Sequence, residues 1–66
     1  MVTKVLERYE SESGETAEIG RRQDGSISVT ICGSRFETIL DTTAASIDAA
    51  REDVKARLPK PYARTM

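Results

Sequence analysis

The sequence predicts an α+β fold: an antiparallel meander of three to four β-strands followed by one C-terminal amphipathic α-helix packed on one sheet face. Residues 27–31 alternate apolar and polar side chains, which is typical of a strand with one buried face. The pair Asp24-Gly25 stands just before them and favours a tight hairpin turn. A stripe of apolar residues at helical spacing follows and ends at Pro59.

The length of the chain allows one domain with a small core. The 66 residues include one cysteine, Cys32, and no histidine, so the chain has neither a disulfide framework nor the ligands of a tight zinc site. We expect a single α+β domain over residues 1–58 and a flexible C-terminal tail over residues 59–66. Because so short a chain buries little apolar surface, formation of a homodimer would add stability.

The first segment, residues 2–10, is compatible with two structures. Its apolar residues fall at helical spacing, yet Val5 and Tyr9 also share one face of a strand. A strand is favoured because valine, threonine and tyrosine prefer strands, and because residues 11–14 are typical of a turn into a second strand. A short N-terminal helix is the alternative.

The middle of the chain is predicted to be a β-hairpin. A second strand is expected over residues 15–23, and a third begins at Ser26. Between them, Asp24 and Gly25 are expected to supply the positive φ angles of a tight turn. Gly20 interrupts the second strand, and a glycine inside a strand favours a bulge or a close backbone approach.

A fourth strand is expected over residues 35–40, after a break at Gly33. In this strand Phe36 and Leu40 would lie on one face and Ile39 on the other. Alternation of this kind places Phe36 and Leu40 in the core.

The helix is expected to begin near residues 41–43, whose side-chain oxygens can accept hydrogen bonds from the first free backbone N–H groups. It should continue through Leu58, before Pro59 ends it. Its apolar stripe is expected to cover one row of the sheet. The predicted core consists of Ala44, Ile47, Ala50, Val54 and Leu58 on the helix and Ile27, Val29, Ile31, Phe36 and Leu40 on the sheet.

The reactive side chains argue against an enzyme. Without histidine the chain cannot form a His-based acid–base pair or a Ser-His-Asp or Cys-His site. Cys32 has no activating neighbour in the sequence and is interpreted as a small buried residue. No glycine-rich phosphate-binding motif is present, and no carboxylate spacing selects a metal. We therefore expect no enzyme activity, no cofactor and no metal.

Four glutamates gather around the first predicted turn and indicate an acidic surface for a basic partner, although a merely solvated acidic turn is the simpler alternative. We expect a non-enzymatic protein-interaction module that docks on a larger protein or protein complex and blocks or bridges it. The predicted partner-binding residues are Tyr9, Glu10, Glu12, Glu15, Glu18, Arg21 and Arg22.

A nucleic-acid-binding module is the second choice. Arg21, Arg22 and Arg35 could form a basic patch on the open sheet face. The formal net charge of -1 and the scarcity of aromatic residues are unlike a strongly basic nucleic-acid binder. Self-association through free edge strands is a third hypothesis.

The ends and apolar runs of the chain bear on its location. The N-terminus lacks the long apolar core of a signal peptide, and no apolar run approaches the ~20 residues of a membrane span. We therefore expect a cytoplasmic protein that does not associate with membranes.

The predicted order of strands and helix, from about Val2 to Leu58, is similar in outline to the four-strands-then-helix repeats that bind single-stranded nucleic acid. It also resembles several small phage-encoded inhibitors, including some anti-CRISPR proteins. The second resemblance implies an inhibitor of a bacterial defence system that acts by occupying a surface of its target. Both resemblances rest on architecture and involve no motif residue.

Overall fold

The computed structural model describes residues 2–65, which form one five-stranded antiparallel sheet and one helix. The elements are β1 (Val2–Ser11), β2 (Thr16–Arg22), β3 (Ile27–Cys32), β4 (Thr38–Ala44), α1 (Ile47–Arg57) and β5 (Tyr62–Arg64). The strand order across the sheet is β4-β3-β2-β1-β5, so the first four strands form a meander and the last returns to β1. The predicted α+β class, with a meander and a helix packed on one sheet face, is confirmed.

The prediction is wrong about the number of strands and about the helix being the C-terminal element. Residues 62–64, which the sequence alone assigned to the tail, form β5 and pair antiparallel with β1, with Tyr62 opposite Ser11. The ring of Tyr62 packs edge-on against Tyr9, with centroids 6.0 Å apart and an interplanar angle of 78°. The mobility of residues 59–66 stays a prediction.

The first segment is a strand, as the turn after it indicates, and not the alternative helix. Its pairing with β2 shifts register between Val5 and Glu7, so Leu6 is an extra residue on β1. Gly20 lies opposite Val5 on one side and opposite Ser28 on the other, with no shift toward β3. A bulge therefore lies beside Gly20, but the extra residue belongs to the neighbouring strand.

The three hairpins of the meander have turns of one geometry, a three-residue loop whose last residue takes a positive φ. In each turn the amide of this residue donates to a carbonyl three residues earlier, at 2.9–3.1 Å. The positive-φ residues are Gly14 (φ 92°), Gly25 (φ 88°) and Phe36 (φ 64°). The prediction that Asp24 shares this conformation is wrong, because a three-residue loop needs left-handed backbone only at its last position.

The core lies between α1 and the sheet face formed by alternate residues of β2 and β3. The buried apolar residues are Ala17, Ile19, Ile27, Val29, Ile31, Ala50, Val54 and Leu58. Leu40, Ala44 and Ile47 are partly buried against them. Phe36 does not belong to the core and is 86% exposed, so its predicted burial is wrong. The physical reason is that β4 begins only at Thr38, which leaves Phe36 in the preceding turn.

The helix begins at Ile47 and not near residues 41–43. Those residues belong to β4, where their β-branched threonines pair with β3 and complete the sheet. The N-cap is Ser46, whose Oγ accepts a hydrogen bond from the backbone N–H of Ala49 at 3.1 Å. The helix ends at Arg57, within one residue of the prediction.

Candidate functional site

The sheet face opposite α1 is open, and two turns meet at one end of it. The β1–β2 and β3–β4 turns lie at the same end because successive strands alternate in direction. They are in contact, since Cβ of Ser34 lies 3.3 Å from the position that a Cβ on Gly14 would take. This end of the molecule, residues 11–15 and 33–37, is named the turn end.

A cleft of about 350 Å³ opens beside the turn end. Side chains of β1, β2 and β3 contribute to it in strand order, and Phe36 closes it at the turn after β3. The residues that line it are Arg8, Glu10, Thr16, Glu18, Thr30, Cys32 and Phe36. Cys32 is half-buried there and faces the cleft, not the core beneath α1. The cleft therefore combines charged groups on the β1 side with an aromatic ring at the turn end.

Phe36 combines left-handed backbone with almost complete exposure. Its amide donates to the carbonyl of Gly33 at 2.9 Å, and the amide of Gly33 donates to the carbonyl of Glu37 at 2.8 Å. The Glu37 carboxylate also accepts a hydrogen bond from the amide of Arg35 at 3.3 Å, so the turn is held at several points. A left-handed conformation costs a bulky residue about 1 kcal/mol. The exposed ring buries no apolar surface that would offset this cost. The stability of the fold therefore does not explain why a phenylalanine stands at position 36.

The charges in the cleft are unbalanced. Arg8 donates to Oε1 of Glu18 through both Nε, at 3.0 Å, and Nη2, and these hydrogen bonds raise the pKa of the Arg8 guanidinium. Glu10 makes no hydrogen bond or ion pair within residues 2–65, although its charge acts on Arg8. One arginine against two glutamates leaves one negative charge, and Glu10 is the carboxylate without a direct partner.

All four predicted glutamates lie at or beside the turn end, but on two different surfaces. Glu10 and Glu18 line the cleft. Glu12 and Glu15 belong to the first turn, where Glu12 is exposed and Glu15 is half-buried. The amide of Glu12 donates to the carbonyl of Pro61 at 3.2 Å, which fixes this turn against the segment before β5. The prediction thus placed the acidic residues at one end without separating cleft from turn.

The other three predicted residues lie away from the cleft. Tyr9 is half-buried against the core, on the helix side of the sheet. Arg21 and Arg22 are neighbours in one strand, so they lie on opposite faces. Arg21 donates to the carbonyl of Gly25 at 3.2 Å, whereas Arg22 donates to the carboxylate of Asp41 at 3.4 Å. The two arginines do not join into one basic patch, and the geometry does not favour the nucleic-acid alternative.

A second charged cluster surrounds Glu7, whose side chain is only 5% exposed. Arg51 donates to this carboxylate from Nε at 3.1 and 3.2 Å and from Nη2 at 2.5 Å, and the Tyr9 hydroxyl donates at 2.5 Å. Arg64 Nη1 stands 3.8 Å away. The hydrogen bonds from Arg51 lower the pKa of Glu7 to about 2, although burial opposes the shift. Since the carboxylate is already fully engaged, we assign this cluster to stability.

Sequence reasoning missed Phe36 as a site residue, although a signal for it existed. The positive-φ residues Gly14, Gly25 and Phe36 recur eleven residues apart. The first two are turn glycines, and their spacing indicates where the next left-handed residue falls. No sequence pattern indicated that Arg8, Thr16 and Thr30 line one cleft, because their proximity depends on which strands pair.

Among residues 2–65, no three or more Cys, Asp or Glu side chains are placed to hold a metal ion, and no helix is long and apolar enough to cross a membrane. Comparison with known proteins gave no match to a family model, to a curated protein or to a solved structure. Function is therefore inferred from the residues of this chain alone.

Proposed function

We propose that this chain is a non-enzymatic protein-interaction module that docks on a larger protein through its turn end and blocks or bridges that partner. The observation that carries the proposal is Phe36, which the fold holds exposed in a left-handed turn at a cost of about 1 kcal/mol. A phage or mobile-element inhibitor of a bacterial defence system is the most concrete form of the proposal. That form rests only on the resemblance in outline of the predicted order of strands and helix.

The turn end has the composition of a protein interface. Phe36 is a large apolar side chain that the hydrogen bonds of its turn hold at a fixed position. Glutamates of the cleft and of the first turn supply charged groups nearby. An apolar anchor with a polar surround is the usual arrangement of an interface, and the acidic charge favours a basic partner surface. The backbone hydrogen bonds of the turn reduce the entropy lost when the anchor is buried.

The test is affinity capture from the lysate of the native host, comparing the tagged chain with its Phe36→Gly variant. Glycine adopts left-handed backbone without strain, so the variant keeps the fold while it lacks the ring. Ile39→Thr is the matched control, because it removes the other exposed large apolar side chain of the hairpin.

Each capture is performed with and without nuclease. The proposal is supported by a protein that survives nuclease, is retained by wild type and by Ile39→Thr, and is lost with Phe36→Gly. Equal capture by Phe36→Gly would contradict the assignment to the turn end. Capture that disappears with nuclease would favour the nucleic-acid alternative.

A further inference from the structure

We infer that the cleft receives an arginine side chain of the partner protein, held between the ring of Phe36 and the carboxylate of Glu10. The inference rests on the proposed function, because it names the chemistry that the turn end recognises. Both groups line the same cleft on the open sheet face, and each can make a further interaction that no residue of the described fold supplies. Phe36 presents an exposed ring, and Glu10 presents a carboxylate without a hydrogen-bond partner within residues 2–65.

The charge of the cleft selects a cationic occupant. Arg8 donates two hydrogen bonds to Glu18, so the charges of these two residues balance each other within the chain. Glu10 contributes the remaining negative charge, and it is close enough for its charge to act on Arg8. An anionic or neutral group entering the cleft would leave this charge unbalanced, whereas a cation would pair with it.

The aromatic wall favours arginine over lysine. A guanidinium is planar, stacks on aromatic faces and presents five N–H donors in a fixed fork. It can therefore lie against the ring of Phe36 while it donates to Glu10, with the hydroxyls of Thr16 and Thr30 available as further acceptors. A lysine ammonium is a compact and strongly hydrated charge. It would pair with the Glu10 carboxylate but would gain less from contact with the Phe36 ring.

The dimensions of the cleft suit one side chain. Its lining extends across three neighbouring strands, β1, β2 and β3, which span about 10 Å at normal strand spacing. A helix with its side chains is about as wide as this whole span, so it would not fit between the side chains that line the cleft. A single long side chain fits a volume of about 350 Å³.

The experiment is an NMR titration of the full ¹⁵N-labelled chain with Nα-acetyl-arginine amide at low salt, and with Nα-acetyl-lysine amide as the comparison. We expect the arginine probe to shift the amide signals of Thr16, Thr30 and Cys32 in a saturable way, with an affinity in the millimolar range. The lysine probe should bind about two- to fivefold more weakly, because it gains less from the ring.

Three variants locate the probe. Glu10→Gln should weaken arginine binding about fivefold, whereas Glu12→Gln, which changes an exposed glutamate outside the cleft, should leave it unchanged. Phe36→Leu keeps an apolar side chain but removes the ring, and it should reduce the preference for arginine over lysine. Chemical shifts far from the cleft report whether each variant keeps the fold.

No saturable shift with arginine, an equal response to lysine, or no effect of Glu10→Gln would overturn the inference. These failures are separable from failure of the proposed function. If capture of a protein partner still depends on Phe36 while the arginine probe does not bind, the turn end docks a partner but does not recognise arginine. If arginine binds in the cleft while no Phe36-dependent protein is captured, the recognition chemistry holds and the docking proposal fails.

Discussion

Arg51 on α1 and Glu7 on β1 are 44 residues apart in the chain, and the guanidinium makes three hydrogen-bond contacts with the buried carboxylate. The Tyr9 hydroxyl donates a further hydrogen bond to Glu7. Because α1 packs mainly on β2, β3 and β4, this ion pair is a principal link between the helix and β1. Its strength should therefore affect how firmly α1 is held against β1, which is otherwise fixed by its pairing with β2.

Lowering the pH should weaken this link. The pKa of Glu7 falls from 4.5 to about 2 in the folded chain, so its stabilising contribution is fully present above pH 4.5 and is lost as the pH falls toward 2. The Glu7→Gln variant lacks that contribution at every pH. The difference in free energy of unfolding between wild type and variant should therefore shrink by about 1–3 kcal/mol from neutral pH to about pH 2. Urea unfolding at a series of pH values measures it, and a difference independent of pH would contradict the assignment.

Replacing the partner should also destabilise the fold. Arg51→Met leaves the buried Glu7 carboxylate without its main donor, and we expect a loss of about 2 kcal/mol in the free energy of unfolding at neutral pH. Asp48→Asn is the control, because Asp48 is exposed and its 3.4 Å contact with Arg51 should contribute close to nothing. The double variant Glu7→Gln/Arg51→Met should lose less than the sum of the single losses, and full additivity would show that the pair is not coupled.

The positive-φ positions of the turns should respond in opposite directions to substitution. Phe36→Gly should raise the free energy of unfolding by about 1 kcal/mol, because it relieves left-handed strain. Gly25→Ala should lower it by about 1 kcal/mol through conformation alone, since nothing lies within 4 Å of its new Cβ. Gly14→Ala should cost more, because its Cβ would also meet Ser34 at 3.3 Å. Denaturant unfolding curves give all three values, and a loss of stability in Phe36→Gly would show that the ring is structural.

The last strand should contribute to stability. Tyr62→Ala removes the edge-on contact with Tyr9 and should cost about 1–2 kcal/mol, whereas Lys60→Ala, at an exposed position, should cost little. The amide of Thr65, which donates to the carbonyl of Arg8 at 2.8 Å, should exchange slowly with solvent. Rapid exchange at Thr65 together with an unaffected Tyr62→Ala variant would indicate that residues 62–65 do not stay docked.

The sequence was sufficient for those elements whose pattern is local. Alternation at Ile27, Val29 and Ile31 identified β3, because a strand with one buried face has a period of two whatever its neighbours are. The helix start was misplaced because residues 41–43 and Ser46 offer the same capping chemistry, and pairing with β3 decides between them. β5 escaped prediction because a three-residue strand has no pattern of its own and depends on β1.

The candidate site was predictable only in part. Glu10 and Glu18 could be placed near one another because a turn separates their strands. Phe36 was assigned to the core because it alternates with Leu40, and only the eleven-residue spacing of the turn residues indicated that it lies in a turn. Arg21 and Arg22 were predicted to act together because they are adjacent in the sequence. Their side chains lie on opposite faces of β2, which separates them.

The register shifts in the sheet have a consequence for the protein at high concentration. Within residues 2–65, β5 covers only residues 9–11 of β1, and the rest of that border carries two register shifts, between Val2 and Lys4 and between Val5 and Glu7. The opposite border, β4, is irregular at Ile39. The backbone donors and acceptors of a regular strand would not align with those of either edge strand. Such irregularities oppose the edge-to-edge polymerisation to which regular edge strands are prone. The interrupted strands should therefore help to keep concentrated solutions of this chain free of fibres.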